Sequence, residues 1–159
     1  MSDLAIKKAT LFKYLSILEK SLLINKVLNF SGSFRSEKRL LRKIYPASSN
    51  FLALLPDPIN IGFKVEAYTA CLLAIKQPYL YRLRDKEIDF VLPSEKIVIE
   101  VKYQNTIDYR ELTFFRKYLN EKRYQGIVVV KNDKPLAVED KNIKTVSAED
   151  FSSFLQKEL

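Results

Sequence analysis

The feature that most constrains the fold is an uninterrupted apolar run, Gly126-Ile127-Val128-Val129-Val130. A strand with one solvated face alternates apolar and polar residues, whereas a continuous run fits a strand that is covered on both faces. Helices supply such cover, and segments with helical spacing stand on either side of this run. We therefore predict an α/β fold with a mixed central sheet flanked by helices.

The elements after residue 62 are predicted in the order α-β-β-β-α-β-β-α. They are helices over 63–75, 109–121 and 147–155, and strands over 79–83, 87–92, 96–101, 126–130 and 143–146. Tight polar breaks at Asp85-Lys86 and Pro93-Ser94-Glu95 separate the first three strands. In this order three strands, joined by two tight turns, precede a helix and two further strands.

The first 45 residues have a different pattern. The predicted elements are a short helix over 2–6, an amphipathic helix over 10–21, a strand over 23–30, a turn over 31–33 and a strand over 40–45. Two helices followed by a hairpin is the order of a winged helix that lacks its first helix. We therefore predict a partial winged helix over 1–45, a proline-containing linker over 46–61 and a second domain over 62–159.

Composition excludes several classes of catalyst. The chain has no His and one Cys, Cys71. Ser–His–Asp catalysis, His-ligated zinc and an internal disulfide are therefore ruled out. Carboxylates, Lys and oxygen-bound cations remain for hydrolytic chemistry.

The chain is basic and has no targeting signal that we recognise. Its 27 Lys and Arg outnumber 19 Asp and Glu, which gives a formal net charge of +8. This charge favours an acidic partner such as DNA, although a Lys-rich surface also serves solubility alone. The first ten residues lack the apolar core of a signal peptide, and no apolar stretch is long enough to span a bilayer. We expect a cytoplasmic protein with no membrane partner.

Two carboxylates and a lysine are predicted to meet on neighbouring strands. Because side chains alternate along a strand, Glu100 and Lys102 share one face. In the preceding strand Ile88, Phe90 and Leu92 share a face, which leaves Asp89 on the other. A turn at residues 93–95 would bring Asp89 beside Glu100 and Lys102.

Such a trio suits phosphodiester hydrolysis. Two carboxylates hold Mg²⁺ or Mn²⁺, and the ion lowers the pKa of bound water. The carboxylates favour the protonated form of Lys102, which would then orient the water and offset phosphate charge. The alternative is an ordinary cross-strand ion pair on a solvated face.

At this point the chain resembles the PD-(D/E)xK nuclease superfamily, through Ile88-Asp89, ten intervening residues and Glu100-Val101-Lys102. The resemblance implies a restriction-endonuclease-like domain in which Asp89, Glu100 and Lys102 are catalytic. It also implies that Glu66 on the leading helix joins the metal site and that Gln104 assists catalysis.

A wider resemblance covers nearly the whole chain, to the C-terminal part of archaeal and other prokaryotic AAA+-type P-loop ATPases. It rests on segments such as Thr10-Leu11-Phe12-Lys13-Tyr14-Leu15, Lys43-Ile44-Tyr45 and Tyr81-Arg82. In those proteins a winged helix and a PD-(D/E)xK-like domain follow the ATPase. No GxxxxGK[ST] motif occurs here, so this chain does not hydrolyse ATP, and a separate ATPase becomes a candidate partner.

Seven cations are candidate DNA contacts. Five follow the predicted wing turn and two lie on the strand before Asp89: Arg35, Lys38, Arg39, Arg42 and Lys43, then Arg82 and Arg84. A wing can lie along a DNA backbone and contact phosphates. The alternatives are a solvated hairpin, a face against an ATPase and, for the last two, pairing with acidic neighbours.

Two functions follow as expectations. The first is a Mg²⁺- or Mn²⁺-dependent deoxyribonuclease that uses Asp89, Glu100 and Lys102. The second is a module of nuclease fold that binds DNA or an ATPase without cutting. Many nucleases of this fold are dimers, so a homodimer is a further expectation, although no sequence feature marks an interface.

Overall fold

The computed structural model describes residues 6–31, 42–54, 59–104, 107–131 and 140–158. Seven strands lie in these ranges: β1 (Ile24–Asn29), β2 (Arg42–Pro46), β3 (Tyr79–Leu83), β4 (Lys86–Leu92), β5 (Ile97–Lys102), β6 (Gln125–Val130) and β7 (Ile143–Ser147). The α-helices in the same ranges are α1 (Lys8–Lys20), α2 (Ile61–Leu73), α3 (Thr113–Lys122) and α4 (Phe151–Glu158). Short 3₁₀ segments span Ser49–Leu54, Ala74–Lys76 and Tyr109–Leu112.

The described strands form one mixed sheet in the order β2-β1-β3-β4-β5-β6-β7. Strands β5, β6 and β7 run parallel to one another, as do β1 and β3. The β1–β2, β3–β4 and β4–β5 pairs are antiparallel. The prediction of an α/β fold with a mixed central sheet is confirmed.

Helices cover the sheet on both faces. Residues of α2 and α4 pack into one apolar cluster, while α3 and the 3₁₀ turn before it pack into a second cluster on the opposite face. Strand β6 contributes to both, with Ile127 and Val129 in the first cluster and Val128 and Val130 in the second. The continuous apolar run is therefore buried on both faces, as predicted.

The hairpin that we predicted as the wing of a winged helix belongs to the central sheet. Strand β1 pairs in parallel with β3, and both Val27 of β1 and Tyr45 of β2 lie in the α2-side core. The expected divisions 1–45, 46–61 and 62–159 therefore do not separate two cores. Residues 46–61 also include the 3₁₀ segment Ser49–Leu54, whose Leu52 is buried.

Side chains of β2 and β4 meet on the α2 side of the sheet. Adjacent strands lie about 4.8 Å apart, so in a flat sheet β2 and β4 would be separated by about 14 Å. The two long side chains nevertheless meet, because the ring of Tyr45 on β2 lies 5.8 Å from that of Phe90 on β4. Side chains of β2 therefore reach the middle of the sheet.

Helix α1 matches the predicted amphipathic helix closely, beginning two residues earlier and ending one residue earlier. The short helix predicted over residues 2–6 lies outside the described residues except for Ile6, which is not helical. No helix within the described ranges is both long and apolar enough to cross a membrane.

Candidate active site

A break in the β4 ladder sets the position of Asp89. Between two β3–β4 pairs, Tyr79↔Val91 and Tyr81↔Ile88, β4 has one more residue than β3, which is the signature of a β-bulge. A bulge moves side chains to the opposite face. Accordingly Ile88 packs in the α3-side core, whereas Phe90 packs in the α2-side core.

This is a correction to the sequence analysis, which placed Ile88, Phe90 and Leu92 on one face. Strict alternation holds for Phe90 and Leu92, which share the α2-side core, but the bulge reverses it at Ile88. Bulges occur often beside active sites because they redirect a side chain. Here the redirected position is next to Asp89.

At Asp89 the regular backbone hydrogen bonding between β4 and β5 gives way to hydrogen bonds that involve side chains. Regular β4–β5 pairing covers Phe90 to Leu92. Beyond it the Val101 N–H donates to Asp89 Oδ2 at 2.9 Å, and the Asp89 N–H faces Glu100 Oε2 at 3.4 Å. Lys102 Nζ lies 3.0 Å from Glu100 Oε1. The structure therefore brings together Asp89, Glu100 and Lys102.

The pKa values of Glu100 and Asp89 are both raised. Burial, followed by the charge of Asp89, raises the pKa of Glu100 from its ordinary 4.5 to about 7. Burial, followed by the charge of Glu66, also raises the pKa of Asp89. A cation placed between these groups would relieve both effects.

Lys102 is held in its charged form. Burial lowers the pKa of Lys102, but Glu100, Asp89 and Glu111 outweigh it and the net shift is upward. Gln104 is exposed, and its amide donates to Glu111 Oε2 at 2.9 Å. Gln104 is thus linked to the site through Glu111.

Glu66 reaches the site from helix α2. Asn60 caps this helix by accepting a 2.7 Å hydrogen bond from the Gly62 N–H. Glu66 Oε1 accepts hydrogen bonds from the Tyr45 hydroxyl at 2.5 Å and from Lys43 Nζ at 2.6 Å. Glu66 is therefore near Asp89, but strand β2 already supplies partners for its Oε1 atom.

Lys43 lies inside the acidic cluster. Its ammonium is 3.3 Å from Asp89 Oδ1 and also forms an ion pair with Glu87. Burial opposes its charge, yet the surrounding carboxylates raise the pKa of Lys43 above its ordinary value. We predicted Lys43 to be a DNA contact on a wing, whereas in the structure it pairs with acidic residues of α2 and β4.

Sequence reasoning therefore missed Lys43 and Tyr45 as members of the site. The available signal was their spacing, because residues two apart on a strand share a face. That signal identifies a shared face but not the residues opposite it, since the position of β2 relative to β4 and α2 depends on the whole sheet.

The remaining predicted cations are placed as follows. Arg82 pairs with Glu87, so the alternative of pairing with an acidic neighbour applies to it. Arg84 is exposed in the β3–β4 turn. Arg35, Lys38 and Arg39 lie outside the described residues. Of Arg42 only the backbone is described, in register with Leu28 on β1.

The donor set fits a small hard cation at two carboxylates. Mg²⁺ is usually bound through one or two carboxylates, with water and phosphate oxygens completing its shell. Asp89 and Glu100 meet this requirement. Across the described ranges no three acidic or cysteine side chains are grouped to hold an ion, and Lys43 stands between Glu66 and Asp89. Asp89 and Glu100 are therefore suitable ligands for such a cation, whereas Glu66 is not.

No curated protein and no solved structure matches the chain. Residues 66–155, more than half of the 159 residues, match the family described as a domain of unknown function, DUF4143, which is found in AAA-ATPase-associated proteins. The matched range includes Glu66, Asp89, Glu100 and Lys102 and excludes Lys43. The chain belongs to the DUF4143 family.

Proposed function

We propose that this protein is a metal-dependent nuclease that hydrolyses phosphodiester bonds of DNA. One observation carries the proposal: Asp89, Glu100 and Lys102 converge at a bulge in the sheet, with the pKa of Glu100 raised to about 7. Carboxyl groups with shifted pKa values beside a fixed ammonium are typical of catalytic sites, although structural ion-pair networks produce them too.

The residues have distinct roles in the proposed reaction. Asp89 and Glu100 would hold a Mg²⁺ or Mn²⁺ ion, which would supply a bound water of lowered pKa and stabilise charge on the phosphate. The Lys102 ammonium, 3.0 Å from Glu100, donates hydrogen bonds to the attacking water and offsets phosphate charge. Water adds to phosphorus as the bond to the leaving sugar oxygen breaks, giving a phosphate monoester and a hydroxyl group.

The test is cleavage of single-stranded, duplex and branched DNA with Mg²⁺ or Mn²⁺. Wild type is expected to cut at least one of these, and Lys102→Ala to lose roughly 100-fold or more of the rate, as with other removed transition-state donors. The control is Lys144→Ala, since Lys144 pairs with Glu158 and not with the site. Absence of cleavage of all three substrates with either ion would refute the proposal.

A second candidate function has its own supporting observation. Lys43 already partly neutralises Glu66, Glu87 and Asp89, as expected for a stable, non-catalytic ion network. Together with the family's association with AAA ATPases, this favours a nuclease-fold module that binds DNA or an ATPase. It predicts salt-dependent DNA binding that survives Glu100→Ala, without cleavage by wild type. Binding that is independent of salt would count against it.

A further inference from the structure

The acidic cluster has a cation of its own. Lys43 Nζ lies 2.6 Å from Glu66 Oε1 and 3.3 Å from Asp89 Oδ1, and it also pairs with Glu87. One ammonium thus serves three carboxylates from α2 and β4. The Tyr45 hydroxyl, from the same strand as Lys43, occupies the same Glu66 oxygen.

This network is partly removed from solvent. The exposed fractions of the side chains are 24% for Lys43, 18% for Glu66 and 14% for Asp89. Charges in such surroundings are screened less than surface charges, so removal of one partner leaves a costly unpaired charge. Lys43 belongs to β2, so its ammonium is held close to the carboxylates by the fold itself.

A divalent ion at Asp89 and Glu100 would meet this ammonium as a like charge. Asp89 lies next to both Lys43 and Glu100. Its Oδ1 atom faces Lys43, while its Oδ2 atom accepts a hydrogen bond from the N–H of Val101, the neighbour of Glu100. An ion that also used Glu66 would have to displace Lys43 and would be repelled by it.

We infer that Lys43 is a built-in cation that keeps Glu66 out of the metal site, so that the site binds a divalent ion through Asp89 and Glu100 alone. The inference rests on the metal site of the proposed function. It assigns Lys43 a specificity-determining role in which it sets the number of carboxylates open to the ion.

The test is Mn²⁺ binding measured by titration calorimetry without DNA. Lys43→Met removes the charge and keeps much of the side-chain length, so Mn²⁺ affinity is expected to rise at least about tenfold as Glu66 becomes a ligand. Glu66→Gln in wild type is expected to change the affinity less than about twofold. In the Lys43→Met background, the same Glu66→Gln change should abolish the gain, which a double-mutant cycle isolates.

Two further variants keep the result interpretable. Lys43→Arg retains the charge and should bind Mn²⁺ like wild type, and Asp89→Asn should weaken binding strongly. If Lys43→Met does not fold, Glu66→Gln alone decides: a loss comparable to that of Asp89→Asn would overturn the inference. Failure of both wild type and Lys43→Met to bind Mn²⁺ would also overturn it.

The binding experiment separates this inference from the nuclease proposal. A protein that shows the predicted Mn²⁺ affinities without cutting DNA would support the role of Lys43 and refute the nuclease function. A protein that cuts DNA but binds Mn²⁺ equally with and without Lys43 would do the reverse.

Discussion

The Tyr45 hydroxyl donates a 2.5 Å hydrogen bond to Glu66 Oε1, and this contact joins the outermost strand β2 to helix α2. Tyr45 is only 1% exposed, and its ring also packs near Phe63 and Phe90. Burial and then the charge of Glu66 raise the pKa of Tyr45, so the hydroxyl remains the donor. Glu66 is thereby positioned by a strand that lies outside the matched family range.

Tyr45→Phe is expected to lower the free energy of unfolding by about 1.5–3 kcal/mol, the range for hydrogen bonds to charged groups. The ring and its packing are retained, so the loss measures the hydroxyl contact. Urea denaturation monitors the change. Tyr14→Phe is the matched control, because Tyr14 is 53% exposed and should change stability by less than about 0.5 kcal/mol. Equal effects of the two substitutions would contradict the assignment.

Stability is expected to fall as pH rises towards neutrality. The pKa of Glu100 is about 7 in the folded protein against an ordinary 4.5. Between these values the folded protein binds more protons than the unfolded chain, so the free energy of unfolding decreases with rising pH and levels off above 7. The contribution of Glu100 to this decrease is about 3 kcal/mol.

Urea denaturation between pH 4.5 and 8 measures this dependence without added divalent ions. Glu100→Gln, which resembles the protonated carboxyl, should flatten it, although the raised pKa of Asp89 leaves a residual slope of the same sign. A stability that rises between pH 5 and 7 would contradict the prediction.

Gly126→Ala should destabilise the α3 side of the sheet. A Cβ atom at Gly126 would lie 2.7 Å from Phe115 Cε1 and 2.8 Å from Leu119 Cδ1. Overpacking of this kind costs about 1–3 kcal/mol. Denaturant unfolding measures the loss, and Gly126→Ala should cost less in a Phe115→Leu background than in wild type because the smaller side chain makes room. An equal cost in both backgrounds would mean that the clash with Phe115 is not the cause.

The salt dependence of DNA binding should distinguish Lys43 from the other predicted DNA contacts. Replacing Arg35, Lys38 and Arg39 with Gln is expected to reduce the salt dependence of duplex binding, by about 0.9 in the log–log slope for each lost phosphate contact. Lys43→Met, which removes the charge, should leave the slope unchanged, because this cation is engaged with carboxylates. Fluorescence anisotropy over a series of salt concentrations gives both slopes. An unchanged slope in the triple variant would refute contact through these residues.

Local pattern predicted much of the architecture. The apolar run at β6, the hairpin between β4 and β5, and the helices before and after them are found where spacing placed them. These features depend on residues close in sequence, whose periodicity decides which face is buried. The proximity of Asp89, Glu100 and Lys102 followed from the same logic, since a short hairpin turn brings the two strands together.

Other features depend on contacts between distant residues. The bulge that reverses Ile88 is a property of the β3–β4 pairing, and alternation along β4 alone does not reveal it. The pairing of β1 with β3 is a second case, because the local pattern predicts a hairpin of β1 and β2 but does not show which further strand β1 pairs with.

The sequence by itself determined the chemistry available to this protein. Without His, and with one Cys, it leaves carboxylates and lysines, and it places three of them on adjoining strands. Only the tertiary structure decided which lysines meet which carboxylates. Lys43 and Asp89 are 46 residues apart, and their side chains lie within 3.3 Å because the order of the strands and the packing of the core bring them together. That arrangement is a collective result of strand pairing, the bulge and core packing, so no local pattern encodes the contact.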